Sequence, residues 1–193
     1  MPLLNQTQGE LLLSVARAAI RQSLGGPTLI RPSEPAFLRQ GAVFVTLYRG
    51  TVLHGCIGSL EAHRSLLDDV IDNAVSAALR DPRAVPLSLA AVDGLRIEIS
   101  LLSPQERVPC HDEDSALAAL RPGEDGVVLR CGGRRATFLP QVWESLPDGH
   151  EFLRELRWKA GMDPDRWPRE LEVYRYHVEK LAEAAAPADQ TAR

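Results

Sequence analysis

The sequence predicts an α+β fold, a mixed and mainly antiparallel sheet flanked by helices. Three observations predict it. Segments with period-two alternation come as hairpin pairs, amphipathic helical stripes are interspersed among them, and strand and helix do not alternate as a doubly wound parallel sheet requires. The 193 residues suit one domain, or a main lobe with a small appendage, and are enough to bury a core without staples.

Taken in order, Thr7 and Glu10 read as a capping box. Leu11, Leu12, Val15, Ala16, Ala19 and Ile20 then recur at helical spacing until Gly25-Gly26-Pro27. Pro27 to Gln40 reads as an extended connection. Val43, Val45 and Leu47 alternate with Phe44, Thr46 and Tyr48, and Arg49-Gly50 turns the chain into an extended Thr51 to Ile57. Ser65 and Asp68 open a second helix with a stripe from Leu66 to Leu79, which Asp81-Pro82 stops. Leu95, Ile97, Ile99 and Leu101 describe a strand with one buried face, closed by Pro104.

Further on, Asp114 to Leu120 predicts a short helix, and Gly126 to Cys131, Gly132-Gly133 and Arg134 to Leu139 a two-residue hairpin. Asp148 and Glu151 cap a helix that turns Phe152, Leu153, Leu156 and Ala160 inward and ends at Gly161. Trp143, Trp158 and Trp167 are expected to anchor the core of this last third. Leu171 to Val178 reads as the final strand. Residues 5–181 are therefore expected to form one domain, and 182–193, rich in alanine and small polar residues, a loose tail.

Composition narrows the function classes. Hydrophobic residues are 45% and charged residues 25%, so disordered and fibrous classes lose support. The net charge is -4 and no basic run exceeds Arg134-Arg135, which argues against nucleic-acid binding. Apolar runs such as Leu11-Leu12-Leu13 are far too short to span a bilayer, and no export signal is read at the N-terminus. Three cysteines argue against a disulfide framework. A cytoplasmic protein is the expectation.

The most unusual segment is Leu53-His54-Gly55-Cys56-Ile57-Gly58-Ser59. Two glycines weaken a strand unless backbone must approach something closely. In a regular strand His54 and Cys56 point to the same side, where an imidazole can favour the thiolate, so this pair is the candidate reactive group. Gly55, Ile57, Gly58 and Ser59 are the flanking candidates for binding a small-molecule substrate. The same residues also fit a buried cysteine beside a surface histidine, with the glycines serving a bulge or bend. Arg83 is either half of a solvated pair at a helix stop or a fork offered to a carboxylate or phosphate. Glu98 is either a general base or a solvated charge on the polar strand face. Lys159 is either a site residue or a complement to its helix dipole. No metal site or cofactor is expected, since the histidines and the other cysteines, Cys110 and Cys131, show no ligand spacing. No phosphate-cradling loop, glycine-elbow serine or zinc-helix motif is present.

With these segments located, the chain resembles the AMMECR domain family, known in bacteria and archaea as protein A of the AmmeMemoRadiSam system. The resemblance rests on Leu53 to Ser59, on Asn73-Ala74 followed by Asp81-Pro82-Arg83, and on Ile97 to Ser100 leading to Leu102-Ser103-Pro104. It continues through Gly126-Val127-Val128, Phe138 to Trp143, Phe152-Leu153 and Trp158-Lys159-Ala160-Gly161, in the family's order. It implies an α+β fold with a larger and a smaller lobe. It also implies work alongside Memo-like proteins, which resemble metal-dependent extradiol dioxygenases, and a radical-SAM protein. One departure stands out: the family usually carries arginine where this chain has His54, and histidine is a cation only below its own pKa. The resemblance leaves both an enzyme and a non-catalytic docking module open.

Overall fold

In the computed structural model, which describes residues 3–183, two compact units share the chain. One comprises the described residues up to Leu102 together with those from Glu179 onward, and the other is Ser103–Val178. Helices and antiparallel strands make up both, in agreement with the α+β reading.

The first unit begins with helix α1 (Gln6–Ser23), whose capping box is formed by Asn5 and Gln8. Thr7 lies inside the first turn, so the expected cap sits two residues too late. A short helix α2 (Pro35–Leu38) interrupts the stretch read as extended and buries Phe37 completely. Strands β1 (Gln40–Arg49) and β2 (Val52–Gly58) form the expected hairpin, and β3 (Arg64–Ser65) pairs with the start of β1. Ser65 then caps helix α3 (Leu66–Leu79), its side chain accepting from the Asp68 amide. After a 3-10 turn at Leu89–Gly94 comes β4 (Leu95–Leu102), antiparallel to β1 along its whole length.

The sheet order is β2-β1-β4-β9, where β9 is Val178–Ala182. The chain therefore makes two strands where one was read from Leu171, and Ala182 still belongs to the second of them. The next residue, Glu183, accepts from Ile97 N–H and from Arg17. The rest of the predicted tail lies outside the described residues. Helix α3 covers one face of the sheet, and α1 packs on α3. Their stripes meet Val43, Val45, Leu47, Ile97 and Ile99 in a core where each of those five is fully buried. Burying side chains of this size stabilises by about 1.5–3 kcal/mol each, which is why the alternation in β1 and β4 fixes which face looks inward.

The second unit contains β5 (Glu106–Val108), α4 (Glu113–Ala119), the hairpin β6 (Gly126–Cys131) and β7 (Arg134–Phe138), α5 (Val142–Ser145), α6 (Gly149–Lys159) and β8 (Glu172–Tyr176). Its sheet runs β5-β8-β6-β7, antiparallel throughout. Trp143 stacks on Phe152 at 3.7 Å between ring centroids, in the core beside Leu153 and Leu156. Trp158 departs from its expected anchoring role: it is 67% exposed, while its neighbour Arg157 is the buried one. Arg157 can be buried because it donates to the Pro164 carbonyl and pairs with Glu113 at 2.8 Å. Among the described residues no helix is long and apolar enough to cross a membrane.

Candidate functional site

The β1–β2 pairing contains an irregularity at the segment singled out by the sequence. Leu47 pairs with Gly55, but Tyr48 pairs with Leu53, so His54 is the extra residue of a β-bulge. The bulge directs the imidazole to α3, where Nε2 lies 3.1 Å from the Ala78 carbonyl oxygen and the residue is only 3% exposed. A carbonyl only accepts, so Nε2 carries the proton. Nδ1 is buried and has no hydrogen-bond partner among the described residues.

Cys56 opposes Thr46, and Thr46 faces away from α3 because Val45 and Leu47 on either side are fully buried beneath that helix. His54 and Cys56 therefore lie on opposite faces of the sheet. The expected imidazole beside the thiol is corrected: residues two apart share a side only where no bulge intervenes.

Both glycines are close to something, and in each case it is the chain itself. A Cβ on Gly55 would stand 2.1 Å from the Ala77 carbonyl oxygen of α3, and one on Gly58 2.3 Å from the Phe44 ring, its cross-strand partner. Ile57 packs against the first core. Ser59 donates its hydroxyl to Asp69 at 2.6 Å, and this fully buried carboxylate also accepts from the Val43 amide, Arg64 Nε and Asn73 Nδ2. The network satisfies every member it gathers and pins the exit of β2 to α3. The side chains of Ile57 and Ser59 are thus committed to the fold.

What the segment presents outward is the thiol. Thr46 Oγ1 donates to Cys56 Sγ at 3.2 Å, and strand register places Cys56, Thr46 and Glu98 in one row across β2, β1 and β4. Tyr48 and Arg96 form the next row, with the guanidinium 4.3 Å from the ring centroid. Arg96 also pairs with Glu98. Burial, then the charge of Glu98, pushes the Tyr48 phenol up, opposed by Arg96. All these residues are half-buried.

Asp81 ties this face to the end of α3. Its Oδ2 accepts the outward amide of Cys56 at 2.8 Å, a main-chain donor that an edge strand would otherwise leave unpaired. The same carboxylate accepts from Arg83 at its backbone N–H, Nε and Nη2, at 2.8, 2.9 and 2.7 Å. The Arg83 guanidinium first, and the Cys56 amide second, hold the Asp81 carboxyl well below the usual carboxylate range. Bonding to Asp81 raises Arg83 in return. Asp81's side chain is 1% exposed and Arg83's 57%, so the pair is anchored inside and open outside.

The structure thus gathers Cys56, Arg83 and Glu98 on one unit and turns His54 away from the thiol. Lys159 belongs to the other unit, where Nζ donates to the Thr137 carbonyl at 3.0 Å and lies 5.0 Å from the Phe138 ring centroid. Thr46, Tyr48 and Arg96 were not singled out from the sequence, and Asp81 was read only as a helix stop and half of a solvated pair, whereas its carboxylate is buried. The alternation of β1 had marked Thr46 and Tyr48 as outward, but which residues of β2 and β4 stand beside them depends on register. Among the described residues no group of three or more histidine, cysteine or acidic side chains is placed to hold a metal ion.

Comparison with known proteins places this geometry in context. The AMMECR1 family model matches residues 13–181. Protein MJ0810 of Methanocaldococcus jannaschii is 33% identical over 192 residues, covering 95% of this chain and 94% of its own. A Methanothermobacter thermautotrophicus protein is 34% identical over 185 residues, covering 91% and 94%. The crystal structure of the uncharacterized protein PH0010 from Pyrococcus horikoshii superposes with a TM-score of 0.76 at 33% identity, covering 93% of each chain.

Proposed function

The chain belongs to the AMMECR1 family, and from that premise we propose that its working surface is the outer face of the first sheet, with Cys56 as the reactive or ligand-contacting group. One observation carries the reading: a single carboxylate, Asp81, holds both the Cys56 backbone and the Arg83 guanidinium, so a thiol and a cation are delivered together at an open edge. A thiol with a hydroxyl donor, on an edge whose anchoring carboxylate also carries a cation, is in surroundings where sulfur acts as a nucleophile or contacts an anionic ligand. Arg83 fills the place expected of the residue at position 54. Glu98 is paired with Arg96, and its charge orients that guanidinium over Tyr48 rather than standing ready as a base. The surface serves a small-molecule substrate and the protein acts in the cytoplasm, where its three free cysteines stay reduced, together with Memo-like and radical-SAM proteins, as the family resemblance implies.

Competitive alkylation of the folded protein with iodoacetamide tests this. Cys56 is expected to label faster than Cys110, whose thiol is pushed up chiefly by burial, and faster than Cys131. Labelling at Cys56 no faster than at the other two removes the thiol from the account.

A second reading is favoured by the way Gly55 and Gly58 are filled by α3 and Phe44: the segment is then a rigid contact surface of a non-catalytic docking module. It predicts co-elution with a Memo-like or radical-SAM partner that survives Cys56→Ser. Loss of co-elution in that variant counts against it.

A further inference from the structure

Phe44 is a large apolar residue that the fold leaves outside both hydrophobic cores. Val43 and Val45 on either side of it are fully buried in the first core, so alternation along β1 turns Phe44 to the outer face. Among the described residues it packs into neither core and enters no ring–ring or ring–cation pair, yet it is half-buried. What it lies on is Gly58, its partner across the hairpin. A Cβ at Gly58 would stand 2.3 Å from Cγ of the ring and 2.4 Å from Cδ1, so any side chain there would push the ring off β2.

The pairing of β2 with β1 is regular from Gly55 to Gly58, beyond the bulge. Cys56 therefore shares the outer face with Gly58, two residues or about 7 Å away along the strand, and the ring is laid beside the sulfur. On the other side of Cys56 stand Leu53, which also packs into neither core, and its partner Tyr48. The Tyr48 ring already carries the Arg96 guanidinium. Phe44 is thus the ring next to the thiol without a stacking partner of its own, and the row between these apolar flanks is polar: Cys56, Thr46 and Glu98.

Resting on the reading of Cys56 as the reactive or ligand-contacting group, we infer that Phe44 determines specificity at this face. The ligand it selects is a small molecule carrying a flat aromatic group next to the polar centre that meets the sulfur. A ring placed against Phe44 gains an offset or edge-on contact that an aliphatic group does not.

Alkylation of Cys56 by iodoacetamide and by its N-phenyl derivative, each rate divided by that of glutathione with the same reagent, tests this. The two reagents share one reacting carbon and differ by the ring. The phenyl reagent should be favoured at Cys56 by about fivefold, the size of a ring-on-ring contact. Phe44→Leu should abolish the preference and Phe44→Tyr should keep it. A loosened sheet would change both rates alike, so the ratio reads the ring itself. No preference in the protein, or a preference that survives Phe44→Leu, overturns the assignment; the thiol reading then stands if iodoacetamide still labels Cys56 faster than Cys110 and Cys131. Labelling of Cys56 no faster than of those two by either reagent overturns both.

Discussion

Asp81 accepts one hydrogen bond from the Cys56 backbone and three from Arg83, so Asp81→Ala removes both attachments together. Leaving the Cys56 amide without its acceptor costs about 1–3 kcal/mol. The Arg83 pair adds about 1 kcal/mol or less, because that guanidinium is more than half exposed. The expected loss is about 1–4 kcal/mol, a large share of the roughly 5–15 kcal/mol that holds a domain together. Urea unfolding at pH 7, followed by far-UV circular dichroism and tryptophan fluorescence, measures it. Because the folded carboxyl titrates below its unfolded value of about 3.9, its contribution is complete above that pH and fades as acid brings the pH down toward the folded value. The stability gap between the protein and Asp81→Asn should therefore be full near neutrality and shrink below about pH 4. A loss under about 0.5 kcal/mol, within the range of ordinary surface substitutions, or a gap that does not change with acid, refutes the view of Asp81 as the anchor of this face.

Two other substitutions follow from the same geometry. Gly55→Ala drives a Cβ into the α3 backbone rather than into a movable side chain, so a loss of about 3 kcal/mol or more is expected in urea unfolding, and near-native stability contradicts the close approach. Asp69→Asn leaves Arg64, Ser59 and the Val43 amide competing for one remaining acceptor, so a loss of about 3 kcal/mol is expected, with faster amide exchange at Val43. Unchanged exchange at Val43 contradicts the role given to that network.

The parts of this molecule that a sequence states plainly are those set by side-chain burial alone. Ile97 and Ile99 must be inside wherever their strand lies, and the alternation says so. The stripe of α3 and the Asp148 cap are legible for the same local reason. The bulge at His54 is different, because it exists only in the pairing of β2 with β1, and no local pattern carries that register. A single extra residue then decides the site, sending the imidazole to Ala78 and leaving the thiol on the opposite face, with Asp81 joining the Cys56 backbone to Arg83. Trp158 and Arg157 show the limit of hydrophobicity as a guide: specific bonds to Glu113 and Pro164 bury the arginine and leave the indole outside. Helix α2 spans four residues, too few for periodicity to register.

The central claim is that Arg83, held by Asp81, faces the Cys56 sulfur, and the alkylation rate of Cys56 in Arg83→Gln reads this most directly. At pH 7.5 and low salt the variant should label about threefold more slowly or worse, and added salt should narrow the difference, since an exposed charge is screened. Equal rates in the two proteins, with His54→Ala slowing the reaction instead, contradict the account.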